Sequence, residues 1–204
     1  LTGLNQHVGN WPGKTVECKT GSLEFNGKFF NFVDLPGTYS LTANSEEERI
    51  TREFIIHEQP DVVIAIVNAA VLERNLYLVT ELLALNVPLI LGLNMMDVAA
   101  KEGFRIDAKV LEIALGIPVI PVVAAKNQGL RELIEAAIHL AEAPFSFKPN
   151  LPEIRLDHRS VLKDVQSLIS GKVQKPYRED WIALKLLEGD NEVISIVKNN
   201  MVEV

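Results

Sequence analysis

The chain holds 204 residues, 48% of them apolar, which suits one medium domain with an appendage, or two small ones, and supplies a sizeable core. A formal net charge of −7 argues against a nucleic-acid partner, which favours a basic face. Cys18 is the only cysteine, so no disulfide forms within the chain, and no apolar run reaches the roughly 18 residues that span a bilayer. The first residues do not read as a signal peptide.

In chain order, segments 21–25 and 28–33 flank Asn26-Gly27, a hairpin signal that predicts one antiparallel edge. Short runs rich in Val and Ile at 29–33, 62–67, 88–93 and 117–123 predict buried strands. Helical patterns fall between them at 45–57, 74–85 and 107–115, with another at 130–142. Ser45-Glu46-Glu47-Glu48 reads as a capping box whose acids the helix dipole favours. Alternating strands and helices predict an α/β domain over 1–142, a mostly parallel sheet with helices on both faces. Residues 143–152 carry three prolines and read as a linker. Helical patterns at 154–169, 179–188 and 191–199 predict a small all-helical domain at 153–204, packed on the first.

Three short motifs follow strands. Asp34-Leu35-Pro36-Gly37 has the D-x-x-G form in which an Asp at a strand end holds an Mg2+ shell and the Gly N–H meets a γ-phosphate. Asn94-Met95-Met96-Asp97 has the N-x-x-D form. There Asp97 accepts from guanine N1–H and the 2-amino group, Asn94 ties neighbouring loops, and the Met95 thioether, in place of the usual Lys, lies against the base. Ala124-Ala125-Lys126 resembles an S-A-K loop whose backbone N–H meets guanine O6, with Ala124 lacking the usual bracing hydroxyl. The motifs stand 60 residues apart (Asp34 to Asn94) and then 30 (Asn94 to Ala124), in the order of P-loop GTPases, at strand carboxyl ends where open α/β sheets bind ligands. Thr38 stands where Ras-like enzymes carry a water-orienting Gln and is too short for that task, which predicts slow, differently organised hydrolysis.

Gly9-Asn10-Trp11-Pro12-Gly13-Lys14-Thr15 imitates a phosphate-binding loop. It has three residues between its glycines rather than four, no strand before it, and a proline where N–H donors are needed. It lies where a GTPase carries its first switch. Thr15 is then the candidate for Mg2+ through its hydroxyl and the γ-phosphate through its N–H, and Trp11 for a mobile aromatic. The phosphate loop itself is expected upstream of Leu1, with Leu1-Thr2-Gly3 as the tail of its helix; without that loop, weak nucleotide binding and background hydrolysis are expected. His7, His57, His139 and His158 lack ligand spacing, so no transition-metal site is expected.

Val8-Gly9-Asn10-Trp11-Pro12-Gly13, Thr15-Val16-Glu17, Asp34-Leu35-Pro36-Gly37-Thr38-Tyr39-Ser40-Leu41, Leu72-Glu73-Arg74-Asn75-Leu76-Tyr77-Leu78 and the N-M-M-D form closely resemble the cytosolic N-terminal region of the ferrous iron transport protein B family. The resemblance covers about residues 1–142, and the helical tail agrees in position and size. It implies a prokaryotic membrane protein that imports Fe2+, with this region at the cytoplasmic face of the membrane. It also implies binding of GTP and GDP with Mg2+, slow hydrolysis, and in many members K+ activation, with the backbone of Gly9 and Trp11 near the K+ ion. The implied partners are a membrane-embedded iron-permeation domain of the same polypeptide and small accessory iron-transport proteins, with a homo-oligomer left open. Two other readings stand beside it: a soluble GTPase assembly factor for ribosome or tRNA, and a fragment that binds no nucleotide.

Overall fold

Asn26 and Gly27 both take positive φ, 50° and 75°, as a tight two-residue hairpin turn requires. They join β2 (Glu17–Phe25) to β3 (Lys28–Asp34), paired antiparallel with Phe25 opposite Lys28. The computed structural model describes residues 6–11, 14, 16–143 and 147–201. On the far side of β2 runs β1 (Gln6–Asn10), with Gly9 opposite Cys18 and Asn10 opposite Glu17. The antiparallel part is therefore wider than the hairpin signal implied. The expectation that 29–33 is a buried strand does not hold: Phe29 is 75% exposed. The cause is its place at the edge of a sheet of order β1-β2-β3, where alternate side chains face outward.

The second sheet is parallel, in the order β4 (Val63–Asn68), β5 (Leu89–Asn94) and β6 (Val119–Pro121). Val63, Ala65 and Val67 of β4 and Leu89, Leu91 and Leu93 of β5 are buried in one core cluster. It is filled by Ile55 of α1 (Glu46–Glu58) and Val79, Leu82 and Leu83 of α2 (Leu72–Leu85). The opposite face of β5 meets Leu133 and Leu140 of α5 (Leu130–Glu142) through Ile90. Between them lie α3 (Met96–Lys101), which the hydrophobic pattern did not reveal, and α4 (Ala108–Leu115). Ser45 caps α1 by accepting from the Glu48 N–H at 3.1 Å, and the Glu48 carboxylate reaches back to the Asn44 N–H at 2.8 Å. The acidic run thus caps a helix, as expected.

The helical tail comprises α6 (Leu156–Ile169), α7 (Glu179–Glu188) and α8 (Asn191–Met201). Ile169, Trp181, Ile182, Ala183 and Val193 share the core cluster of the parallel sheet, so the tail completes that core. The connector is no free linker. Asn150 donates its N–H to Leu115 O at 2.8 Å and its side-chain amide to Ile113 O and Ala114 O, which satisfies the carbonyls at the end of α4.

Two buried cations cross the seam between tail and sheet. Arg52 of α1, wholly inaccessible, meets Asp190 at 2.8 Å, pairs with Glu192, and lies 5.6 Å from the Trp181 ring centroid. Lys185 of α7 meets Glu81 of α2 at 2.7 Å and Glu188 at 2.8 Å. Orphaning a buried charge costs about 3–5 kcal/mol. Arg52→Ala is accordingly expected to lower the unfolding free energy by about 3–5 kcal/mol in urea titrations, and a loss under about 1 kcal/mol would contradict this role. Burial pulls the Lys185 pKa down, but hydrogen bonds from Glu188 and Glu81 outweigh it, and the net direction is up. Its stabilising pair is then intact below an unfolded-state lysine pKa of about 10.4 and is lost as pH climbs through the raised folded value. The stability gap between wild type and Lys185→Met is expected to stay constant up to about pH 10 and to narrow above it; a constant gap would refute the coupling.

Candidate functional site

Parallel strands deliver their carboxyl ends to one edge, where Asn68 lies opposite Asn94 and Leu93 opposite Pro121. After β5 the chain turns through Met95 in the left-handed region, φ 62°, which places Asp97 in the first turn of α3. After β6 comes a single 3-10 turn, Ala124–Lys126, closed by left-handed Asn127. The Asn94 side-chain oxygen accepts from the Ala124 N–H at 3.1 Å, so Asn94 ties the two loops together as expected. Lys126 Nζ lies 2.7 Å from Asp97 Oδ2 and holds that carboxyl below the usual carboxylate range, chiefly by this hydrogen bond. Reciprocal backbone bonds between Val123 and Gln128 close the base of the loop. Gly129, φ 77°, is required beside them, because a Cβ there would fall 2.1 Å from Pro121 O. After β4, Asn68 caps a short turn by accepting from the Ala70 N–H at 2.9 Å.

Asp34, the last residue of β3, and Gly37 beyond it are exposed, and a Cβ at Gly37 would meet open space. Leu35 packs on the main core, and Pro36 O accepts from the Thr51 hydroxyl at 3.2 Å. The Thr38 hydroxyl donates to Ser40 O at 2.6 Å and accepts from the Ser40 N–H at 3.2 Å, so it is spent on the turn. Tyr39 lies against the Arg74 guanidinium, 4.0 Å from its ring centroid. The segment ends at buried Leu41, whose N–H donates to Glu81 at 2.6 Å and whose carbonyl accepts from Arg52 at 3.3 Å. The motif is open at its start and clamped to the seam at its end.

In the first-switch candidate the described residues are Gly9, Asn10, Trp11 and Lys14. Gly9 and Asn10 belong to the β1 ladder. Trp11 is half-buried edge-on against Phe54 of α1, at 5.3 Å between centroids, and its indole N–H finds no acceptor among the described residues. Its carbonyl accepts from the Lys14 N–H at 2.9 Å, and Lys14 pairs with Glu46 at 3.1 Å. The expectation that no strand leads into this segment does not hold, since β1 runs into it through Gly9 and Asn10; because β2 rather than a helix follows, it is still no strand–loop–helix phosphate cradle. Thr15 lies outside the described residues, as do Leu1-Thr2-Gly3.

The structure thus brings Asn94, Met95, Asp97, Ala124, Ala125 and Lys126 together at the β5–β6 edge, while Asp34 ends β3 and Gly37 and Thr38 follow it. An ionised carboxylate beside two exposed loops can pair with adjacent N–H donors on a planar ring. No group of three or more His, Cys, Asp or Glu side chains fit to hold a metal ion occurs among the described residues. Sequence reasoning passed over Glu81, Arg52 and Lys185. Glu81 and Lys185 carried a signal, charges of opposite sign among apolar neighbours on α2 and α7, whereas Arg52 stands among the other charges of α1 and carried none.

Residues 1–137 match the family model of ferrous iron transport protein B, and residues 159–204 that of the FeoB cytosolic helical domain. The Fe(2+) transporter FeoB of Methanocaldococcus jannaschii is 46% identical over 209 aligned positions, covering 99% of this chain and 30% of that protein. FeoB of Legionella pneumophila is 38% identical over 194, covering 93% and 25%. The chain therefore spans between a quarter and a third of these relatives. The cytosolic domain of the T. maritima FeoB iron transporter in a GDP form superposes with a TM-score of 0.92 at 34% identity, covering 98% of this chain and 78% of that one. Its GMPPNP form gives 0.87 at 35%, with the same coverage. No helix among the described residues is long and apolar enough to cross a membrane. The chain belongs to the ferrous iron transport protein B family and corresponds to its cytosolic region.

Proposed function

We propose that this chain binds guanine nucleotides and slowly hydrolyses GTP as the regulatory part of a prokaryotic Fe2+ transporter. The observation that carries the reading is the Asn94–Ala124 bond, which joins the Asp97 loop and the Ala125 loop at one sheet edge. Asp97 then accepts from guanine N1–H and the 2-amino group, Met95 lies against the base, and the Ala125 N–H meets O6. Lys126 flanks the same face. The nucleotide part is assigned to 1–142, the connector to 143–152 and the helical part to 153–204. The partner is a membrane-embedded iron-permeation domain of the same polypeptide, with the described region at the cytoplasmic face. Acidic charge and the match of the tail to a FeoB helical domain favour this over an RNA-bound assembly factor.

Asp34 offers one exposed carboxylate at a strand end, a hard oxygen donor of the kind Mg2+ takes together with substrate phosphates. When bound, Mg2+ supplies neutralisation of phosphate charge. Gly37, with open space about it, lets its N–H approach a γ-phosphate, and Thr15 is assigned the switch contact. Thr38 must leave Ser40 before its hydroxyl can face water, consistent with slow turnover. A K+ ion at the Gly9 and Trp11 backbone requires the Trp11 carbonyl to be shared with, or released by, Lys14.

Replacing Asp97 by Asn tests the base assignment in the full-length protein. GDP and GTP affinity is expected to fall by about 2–3 kcal/mol, with preference shifting toward xanthosine diphosphate, whose 2-oxo group accepts from the new amide. Calorimetric titration with GDP and with xanthosine diphosphate reads this. Unchanged GDP affinity would remove Asp97 from the site.

A further inference from the structure

Toward the end of α1 the seam carries a further polar cluster. Glu53 and His57 stand four residues apart, on one face of the helix. His57 Nε2 lies 3.1 Å from Glu53 Oε2, and the Tyr177 hydroxyl, which comes from the tail, donates to that same oxygen at 2.9 Å. Tyr177 Oη is 3.4 Å from His57 Nε2, and the two rings meet edge-on with centroids 5.6 Å apart. Neighbouring donors held about 2.0–2.2 Å from one Zn2+ stand about 2.9–3.5 Å apart, so the Glu53 and His57 atoms already have the separation of ligands. The histidines do not pair with one another; the partner of His57 is a glutamate one helical turn back.

The surroundings favour a cation. Glu53 Oε1 is buried without a hydrogen-bond partner among the described residues, 3.4 Å from Arg52 Nε, so this carboxylate is under-satisfied. Three carboxylates, Glu53, Asp190 and Glu192, surround the single Arg52 guanidinium and leave two negative charges over. Arg178, next to Tyr177, is matched by Asp180. His57 lies in the last turn of α1, where the helix dipole is negative.

We infer that Glu53 and His57 form a binding site for a divalent transition-metal ion of the borderline class, such as Zn2+ or Co2+, with the Tyr177 hydroxyl holding the carboxylate from the tail. Glu53 supplies an oxygen, His57 the Nε2 lone pair, and solvent reaches the remaining coordination positions past the half-exposed imidazole. Burial and the Glu53 carboxylate push the Tyr177 phenol pKa up, so its hydroxyl stays a donor and orients the ligating carboxylate. Tyr177 is thus a positioning residue. Because it belongs to the tail, an ion bound on α1 favours the docked tail. The inference is independent of the nucleotide assignment.

The test is a Co2+ titration of the full-length protein followed by visible absorption, with variant spectra subtracted so that other metal-binding groups cancel. The expected result is a saturable band in wild type minus His57→Gln, reversed by Zn2+. Apparent Co2+ affinity is expected to fall at least about ten-fold in Glu53→Gln and about ten-fold in Tyr177→Phe, which keeps the ring. His57 is half exposed, so His57→Gln leaves the fold in place. Identical titrations of wild type and His57→Gln overturn the site. A loss in Glu53→Gln with none in His57→Gln also overturns it, leaving only a carboxylate that gathers cations. Wild-type affinity in Tyr177→Phe overturns the part assigned to the tail.

Discussion

A guanidinium with no access to water holds this molecule together. Arg52 arises from α1, yet its acidic partners Asp190 and Glu192 belong to the tail, and a third contact is the carbonyl of Leu41. A buried charge is tolerated only while it is paired, and both terminal nitrogens of Arg52 are bonded although its Nε–H is not, so α1, the tail and the end of the Asp34–Leu41 segment are tied to one arrangement. The Lys185–Glu81 pair repeats the device from the opposite direction, with the cation on the tail and the anion on α2. Glu81 also takes the Leu41 N–H. Both polar groups of one buried leucine are thus held by charges that answer to the tail.

The two ends of the candidate site differ in how much is settled beforehand. On the base side, Asn94, the closed turn of 123–128 and the packing demanded by Gly129 leave little to rearrange. A site so preformed loses little entropy when a planar ring enters it. On the phosphate side, Asp34 and Gly37 stand open, and Thr38 is occupied by its own turn. On the proposed reading, the base side sits on hydrogen-bonded loops, whereas the phosphate side is a segment held by the β3 ladder at Asp34 and by Glu81 and Arg52 at Leu41, with Gly37 open between them.

The sequence made the parallel strands and most helices legible because each carries a strong period or an unbroken apolar run, as at Val63–Asn68 and Leu130–Glu142. Asn94 and Asp97 were legible because their spacing and place after a strand carry a chemical meaning. What escaped had weak local signals. β1 contains Gly9 and Asn10 and is made a strand by β2 rather than by propensity. α3 is six residues long, too short to show a period. The packing of Trp11 on Phe54 joins residues 43 positions apart, and the charges at the seam became readable only once α2 and α7 were seen to face each other.

The Asn150 clasp on α4 shortens the free path between the sheet domain and the tail, because the chain is pinned midway along its connector. Docking of the tail is then an intramolecular association, and a pinned connector raises the local concentration of one surface near the other. A tail released from Arg52 would remain in the neighbourhood and rebind at once. Any separation at the seam would then be brief, because the pinned connector speeds reclosure, while the contacts across the seam set how often it opens.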